Sequence, residues 1–207
     1  MFHLPLTKIV YQGSVKNENL KPIVRHAAIY CLAELLFSDR RNCFNLFQIE
    51  GQVIAHYIAN RYVSMSWYVD TLLQIHLLRM IKKPTENISV EMQVTALQCL
   101  RAIGSYPDFR EKIISAEFID VLCTPIAPDT NSSLAECKVN CCDVLSIYCV
   151  EKEAREFFSR IDGPQKLYNL LLDSEPVPVR NAAARLMMQL CSDQVMAAQL
   201  ILSGSLE

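Results

Sequence analysis

A small residue, a large apolar residue four positions later and a second one three after that recur along the chain. The four occurrences are Ala28/Leu32/Leu35, Ala96/Leu100/Ile103, Cys141/Leu145/Tyr148 and Ala183/Met187/Leu190. Steps of four and three line one face of an α-helix, so each occurrence marks a helix buried along that face. The recurrence constrains the fold further. Ala96 to Cys141 is 45 residues and Cys141 to Ala183 is 42. Units of that length cannot bury an apolar face alone and stack on their neighbours to do so. From Ala28 to Ala96 is 68 residues. The stretch Trp67 to Ile81 inside this interval has the same spacing at Thr71/Ile75/Leu78, so an extra helix and an irregular unit are expected over residues 61–88.

The rest of the chain reads as helix too. Only five glycines occur, and no run alternates with period two for long. Breaks are short and polar: "QGSVKNEN", "SDRRN", "KKPTENIS", "APDTNSS" and "DSEPVP". Asn131 or Ser132 and Ser89 are candidate N-caps, while Pro176 and Pro178 stop one helix and admit the next at its first turn. A second landmark follows each anchor: Gly51 after 23 residues, Ala116 after 20, Gly163 after 22 and Gly204 after 21.

With these landmarks, "CCDVLSIYCVEKEAREFFSRIDGPQKLYNLLLDSEPVPVR" and "VRNAAARLMMQLCSDQVMAAQLILSGSLE" resemble armadillo repeats. In that family a long third helix is followed by a short first helix, a glycine turn and a second helix ending in a Leu-Leu pair, here within Leu170 to Leu172. "SIYCVEKEAREFFSRIDG" also has a passing one-repeat similarity to a polarity adaptor. The resemblance implies an all-α, right-handed armadillo/HEAT-type α-solenoid of about four irregular repeats over residues 1–207. On that frame the chain begins and ends mid-repeat, as a fragment of a longer array would.

Composition excludes several functions. Net charge is -2 and no block of like charge stands out, so no footprint for nucleic acid appears. No signal peptide opens the chain, and no apolar run reaches the roughly 20 residues of a membrane span. A cytoplasmic or nuclear home is expected. The nine cysteines are an odd number spread through apolar helical patterns, which fits reduced, buried thiols.

Catalytic constellations are missing. Cys137, Cys141, Cys142 and Cys149 share one predicted helix, but no CxxC or HxxxH accompanies them and the four histidines are scattered. A tetrahedral zinc site wants converging ligands, so packing is the expected role of this helix and no metal or cofactor is implied. Neither GxSxG, a glycine-rich phosphate loop nor HExxH occurs, and the chain is read as a non-enzyme. Glu151 and Glu153 read as a solvated helix start, and Trp67 and His76 as core residues.

The armadillo resemblance implies that the third helices line a concave groove. Nuclear-import adaptors of the family carry a Trp two residues and an Asn six residues after each anchor. Here those positions hold Tyr30 and Glu34, Gln98 and Ala102, Asp143 and Ile147, Arg185 and Gln189. A reader of basic nuclear-localisation peptides is therefore not expected. The expectation is a protein or peptide partner bound along Tyr30, Glu34, Gln98, Asp143, Arg185 and Gln189. Arg25, Lys138 and Arg180 are expected to support neighbouring helices. A purely structural segment with no groove ligand is the alternative. The last repeat, with Val195, Leu200, Ile201 and Leu202, is expected to present an apolar face open to end-to-end self-association.

Overall fold

The computed structural model describes residues 21–39, 77–78, 81, 90–126, 135–172 and 175–205. Among them no strand occurs. The helices are α1 (Pro22–Ser38), α2 (Val90–Gly104), α3 (Pro107–Ile113), α4 (Ala116–Cys123), α5 (Ala135–Tyr148), α6 (Lys152–Arg160), α7 (Gly163–Asn169), α8 (Val177–Leu190) and α9 (Gln194–Ser205). Two short helices followed by a long one is a pattern that runs twice, as α3–α4–α5 and as α6–α7–α8. The chain divides into two compact units, Met1–Ile113 and Ile114–Glu207.

In the first unit α1 packs directly on α2. Ile29 and Leu32 of α1 are fully buried, as are Ala96, Leu97, Leu100 and Ile103 of α2. Burying each such Leu or Ile contributes about 2 kcal/mol. Polar groups at this contact are paired. The Cys99 thiol donates to the Ile29 carbonyl at 3.6 Å. The Thr95 hydroxyl spends its proton on the Glu91 carbonyl at 2.7 Å. His26 Nε2, 3.1 Å from Thr95 Oγ1, is therefore the donor of that pair. The two anchored helices are direct neighbours although 68 residues separate their anchors. Of the expected helix Trp67–Ile81, Leu77, Leu78 and Ile81 are helical and buried; the rest lies outside the described residues. Gly51, His76, Ser89, Asn131 and Ser132 lie outside them too.

The second unit is built around the pair α5 and α8. Cys141, Leu145 and Tyr148 of α5 are fully buried, and so are Ala183 and Leu186 of α8. Phe118 of α4 meets Tyr148 edge to face with ring centroids 4.7 Å apart. Pro176 stands at the N-cap of α8 and Pro178 in its first turn, where a missing N–H leaves nothing unsatisfied.

Two glycine landmarks behave differently from each other. Gly163 opens α7 directly after Asp162, which takes the left-handed conformation at φ 56°. A Cβ on Gly163 would come 2.5 Å from the Phe158 carbonyl oxygen and 2.6 Å from its ring, so α6 and α7 can approach only over a glycine. Gly204 was expected at a turn, but α9 runs through it to Ser205. Its helical backbone lies against the Tyr168 ring, where a Cβ would come within 3.1 Å; close packing, not a turn, explains the residue. The Leu-Leu pair also falls past its helix: α7 ends at Asn169 and Leu170 to Leu172 continue in i→i−3 turns.

Candidate protein-interaction face

Sequence singled out residues on the anchored helices, and each unit places its own. In the first unit Tyr30 and Glu34 lie one turn apart on the exposed side of α1, and Gln98 is half-buried on α2. Ala102, at the other family position on α2 and outside the expected groove set, is fully buried and offers no surface.

In the second unit the structure brings three of the named residues together across α5 and α8. Arg185 Nη2 donates to Asp143 Oδ1 at 3.1 Å. One turn further on, Gln189 Nε2 donates to the Ser146 carbonyl. The anchors Cys141 and Ala183 face the core, so the residues two positions on necessarily emerge on the outer side of each helix. Arg185 is 59% exposed and Asp143 27%, so the pair sits at the surface with its outer edge in water. Each long side chain is held by its neighbour helix, which lowers the entropy lost when a partner orders it.

Spacing from Arg185 finds two further exposed residues that were not singled out. Asn181, Arg185 and Met188 fall at i, i+4 and i+7 on α8, and Met188 is 76% exposed. The helical period that located the anchors would have found them, had it been run on the polar side as well. The face is thus a charged pair and two amides beside an exposed thioether, combining polar and apolar groups.

Lys138 and Arg180 were expected to support neighbouring helices. Lys138 does: it is almost wholly buried on α5 and its ammonium donates to the Glu175 carboxylate just before α8. Arg180 is half-buried, and the side chain of Arg25 lies outside the described residues.

The cysteine helix is part of the core. Cys137, Cys141, Cys142 and Cys149 are all buried. Desolvation pushes the Cys142 and Cys149 thiols up to about 12. Burial likewise raises Cys141 and Cys123 well above the ordinary thiol value. Only a thiolate is a nucleophile or a metal ligand, so these sulfurs are inert at neutral pH. Among the described residues no three or more His, Cys, Asp or Glu side chains converge as metal ligands.

At the far end of the unit Asp193 caps α9, accepting from the backbone N–H groups of Val195 and Met196. The Met196 N–H foremost, then Arg155 and the Val195 N–H, hold its carboxyl below the usual Asp value. The apolar surface expected here is only partly exposed: Val195, Ile201 and Leu202 are open, but Leu200 is 6% exposed and belongs to the core. Position 200 is four after Met196, also buried, so the inward face of α9 runs through both. No helix among the described residues is long and apolar enough to cross a membrane.

No family model matches the chain, and no curated protein does. Solved structures do. A designed armadillo repeat protein, YIII(Dq)4CqI, superposes with a TM-score of 0.68 at 14% identity, over 97% of this chain and 71% of that one. A second engineered protein, the structural-genomics target OR329, superposes with a TM-score of 0.60 at 15% identity, over 98% and 86% of the two chains. The helices described above therefore form an all-α repeat fold of the armadillo type.

Proposed function

We propose that this chain is a non-enzymatic protein-interaction module that holds a peptide or a partner protein against the outer faces of its long anchored helices. The observation that carries the reading is the coupling of Asp143 to Arg185 and of Gln189 to the Ser146 carbonyl across α5 and α8. It fixes a polar row next to exposed Met188, ready-made for contact. Tyr30 and Glu34 on α1, with Gln98 on α2, extend the reading to the first unit. An adaptor or scaffold within the cell is the role this suggests. The mechanism is passive: the core stays fixed and side chains at the face supply hydrogen bonds and one apolar contact.

Affinity capture tests it. Immobilised wild-type chain and the charge-swapped Asp143→Arg/Arg185→Glu variant are compared for proteins retained from cell extract. The swap keeps an ion pair and so the fold, but inverts the charge order. Partners held by wild type and lost by the variant are expected. An unchanged set, with circular dichroism showing both chains equally helical, rules the face out and leaves the purely structural segment as the reading.

A further inference from the structure

A second surface of the C-terminal unit lies away from the anchored helices, between α9 on one side and α6 with the start of α7 on the other. Two hollows open there, of about 230 and 440 Å³. Ser159 lines both, so they form one trough. Its two walls run in step. The first hollow takes residues up to Arg160 from α6 and Val195 and Met196 from α9. The second takes Asp162, Pro164 and Gln165 from the next stretch and Gln199, Leu202 and Ser203 from the end of α9.

Each hollow holds one largely exposed aliphatic side chain: Val195 at 67% in the first, Leu202 at 63% in the second. They are seven residues apart on one helix, about 10.5 Å at 1.5 Å per residue. That is the separation of side chains at i and i+7 on another helix.

Charge differs between the two ends. The first hollow is lined by Lys152, Arg155 and Arg160 against Glu156 and Asp193. Arg155 is occupied by Asp193 and by the carbonyls of Cys149 and Val150. Lys152 and Arg160 share the single Glu156 at 3.8 and 4.0 Å, on a surface where such pairs are weak. Positive charge is in surplus there. The second hollow has Asp162 as its charged group, beside the buried Gln199 Oε1, an acceptor with no hydrogen-bond partner.

We infer that this trough docks an amphipathic helix of a partner protein, with two apolar side chains seven residues apart seated on Val195 and Leu202, an acidic residue over Lys152 and Arg160, and a lysine or arginine over Asp162. Apolar anchors at helical spacing provide the contact and the two opposite charges fix the direction in which the helix lies. This surface is separate from the Asp143–Arg185 face, so either can fail without the other.

The test pans the whole chain against a phage-displayed library of helical peptides about 16 residues long. Enriched peptides are expected to carry two apolar residues seven apart, an acid near one and a base near the other. A synthetic copy should lose at least tenfold in affinity on Val195→Lys and on Leu202→Lys, both exposed positions whose variants are checked for native helicity by circular dichroism. It should bind Asp143→Arg/Arg185→Glu as it binds wild type. The inference is overturned by the absence of enrichment, by enriched peptides without the apolar pair, or by affinity that survives both lysine substitutions. It is equally overturned if sedimentation shows a wild-type dimer that Leu202→Lys turns into monomer, because the trough then belongs to a second copy of this chain.

Discussion

Arg185 Nη2 and Asp143 Oδ1, 3.1 Å apart, join two helices whose anchors are 42 residues apart in sequence. Exposed pairs of this kind contribute about 0.2–1 kcal/mol. Asp143→Arg alone should therefore destabilise by up to about 1 kcal/mol, since it sets two guanidinium groups face to face. Adding Arg185→Glu should recover most of the loss. Urea midpoints of the two single variants and the double variant check this.

The buried pair behaves differently. Lys138 is 2% exposed and Glu175 14%, so removing one partner strands the other's charge. Breaking a buried pair from one side costs about 3–5 kcal/mol. Glu175→Ala should fall at the low end of that range because the carboxylate is partly wet. Denaturant unfolding is expected to show a loss several times that of Asp143→Ala; equal losses would mean that Lys138 finds water or another acceptor.

Gly163 and Gly204 should separate cleanly. Gly163→Ala drives a methyl into the Phe158 carbonyl, a backbone atom that cannot move alone. A destabilisation of about 2 kcal/mol or more is expected, in the range of overpacked cores. Gly204→Ala meets only the edge of the Tyr168 ring at 3.1 Å. Alanine also gains about 0.5–1 kcal/mol over glycine within a helix. The second substitution should therefore change the melting temperature little, and its sign reports whether Tyr168 yields.

Alkali should unfold the protein through its cysteines. The thiols of Cys142 and Cys149 lie at about 12 in the folded chain, against about 8.5 when unfolded. A raised folded value means that their stabilisation is complete below pH 8.5 and is lost as pH rises towards 12. By pH 9.5 the loss is on the order of 1 kcal/mol for each buried thiol. Denaturant midpoints at pH 7 and 9.5 measure it, and substituting Cys149 by Ser should lessen the difference. In native protein at pH 8, mass-mapped alkylation should find the exposed Cys31 and Cys191 well ahead of Cys141 and Cys142.

The core was legible because burial follows helical spacing: Leu100, Leu145 and Leu190 lie where the period of four and three puts them, while on α8 Leu186 is fully buried and its neighbour Met187, the position the pattern named, is half-buried. Pro176 and Pro178 marked the start of α8 for an equally local reason. Glycine was ambiguous, since one residue type serves a turn, a tight helix contact and a left-handed backbone. Here Asp162 took the left-handed backbone, Gly163 the tight contact at the turn and Gly204 a close contact in the last turn of a helix. The Asp143–Arg185 pairing was illegible in another way. Each residue was placed on its helix, but which charges meet depends on how α5 and α8 are offset, and that is set by their buried sides. Asp193 as a cap had a local signal, an Asp just before a helical run, which the spacing of apolar residues alone does not register.

Met188 reports directly on whether a partner covers the α5–α8 face. It is 76% exposed beside the Asp143–Arg185 pair, whereas Met92 and Met196 are buried and serve as internal references. Hydroxyl-radical footprinting of the chain with and without a captured partner, read by mass spectrometry, compares their oxidation rates. A several-fold slowing at Met188 with the two references unchanged is the expected result. An unchanged rate at Met188 while the partner is bound would contradict it.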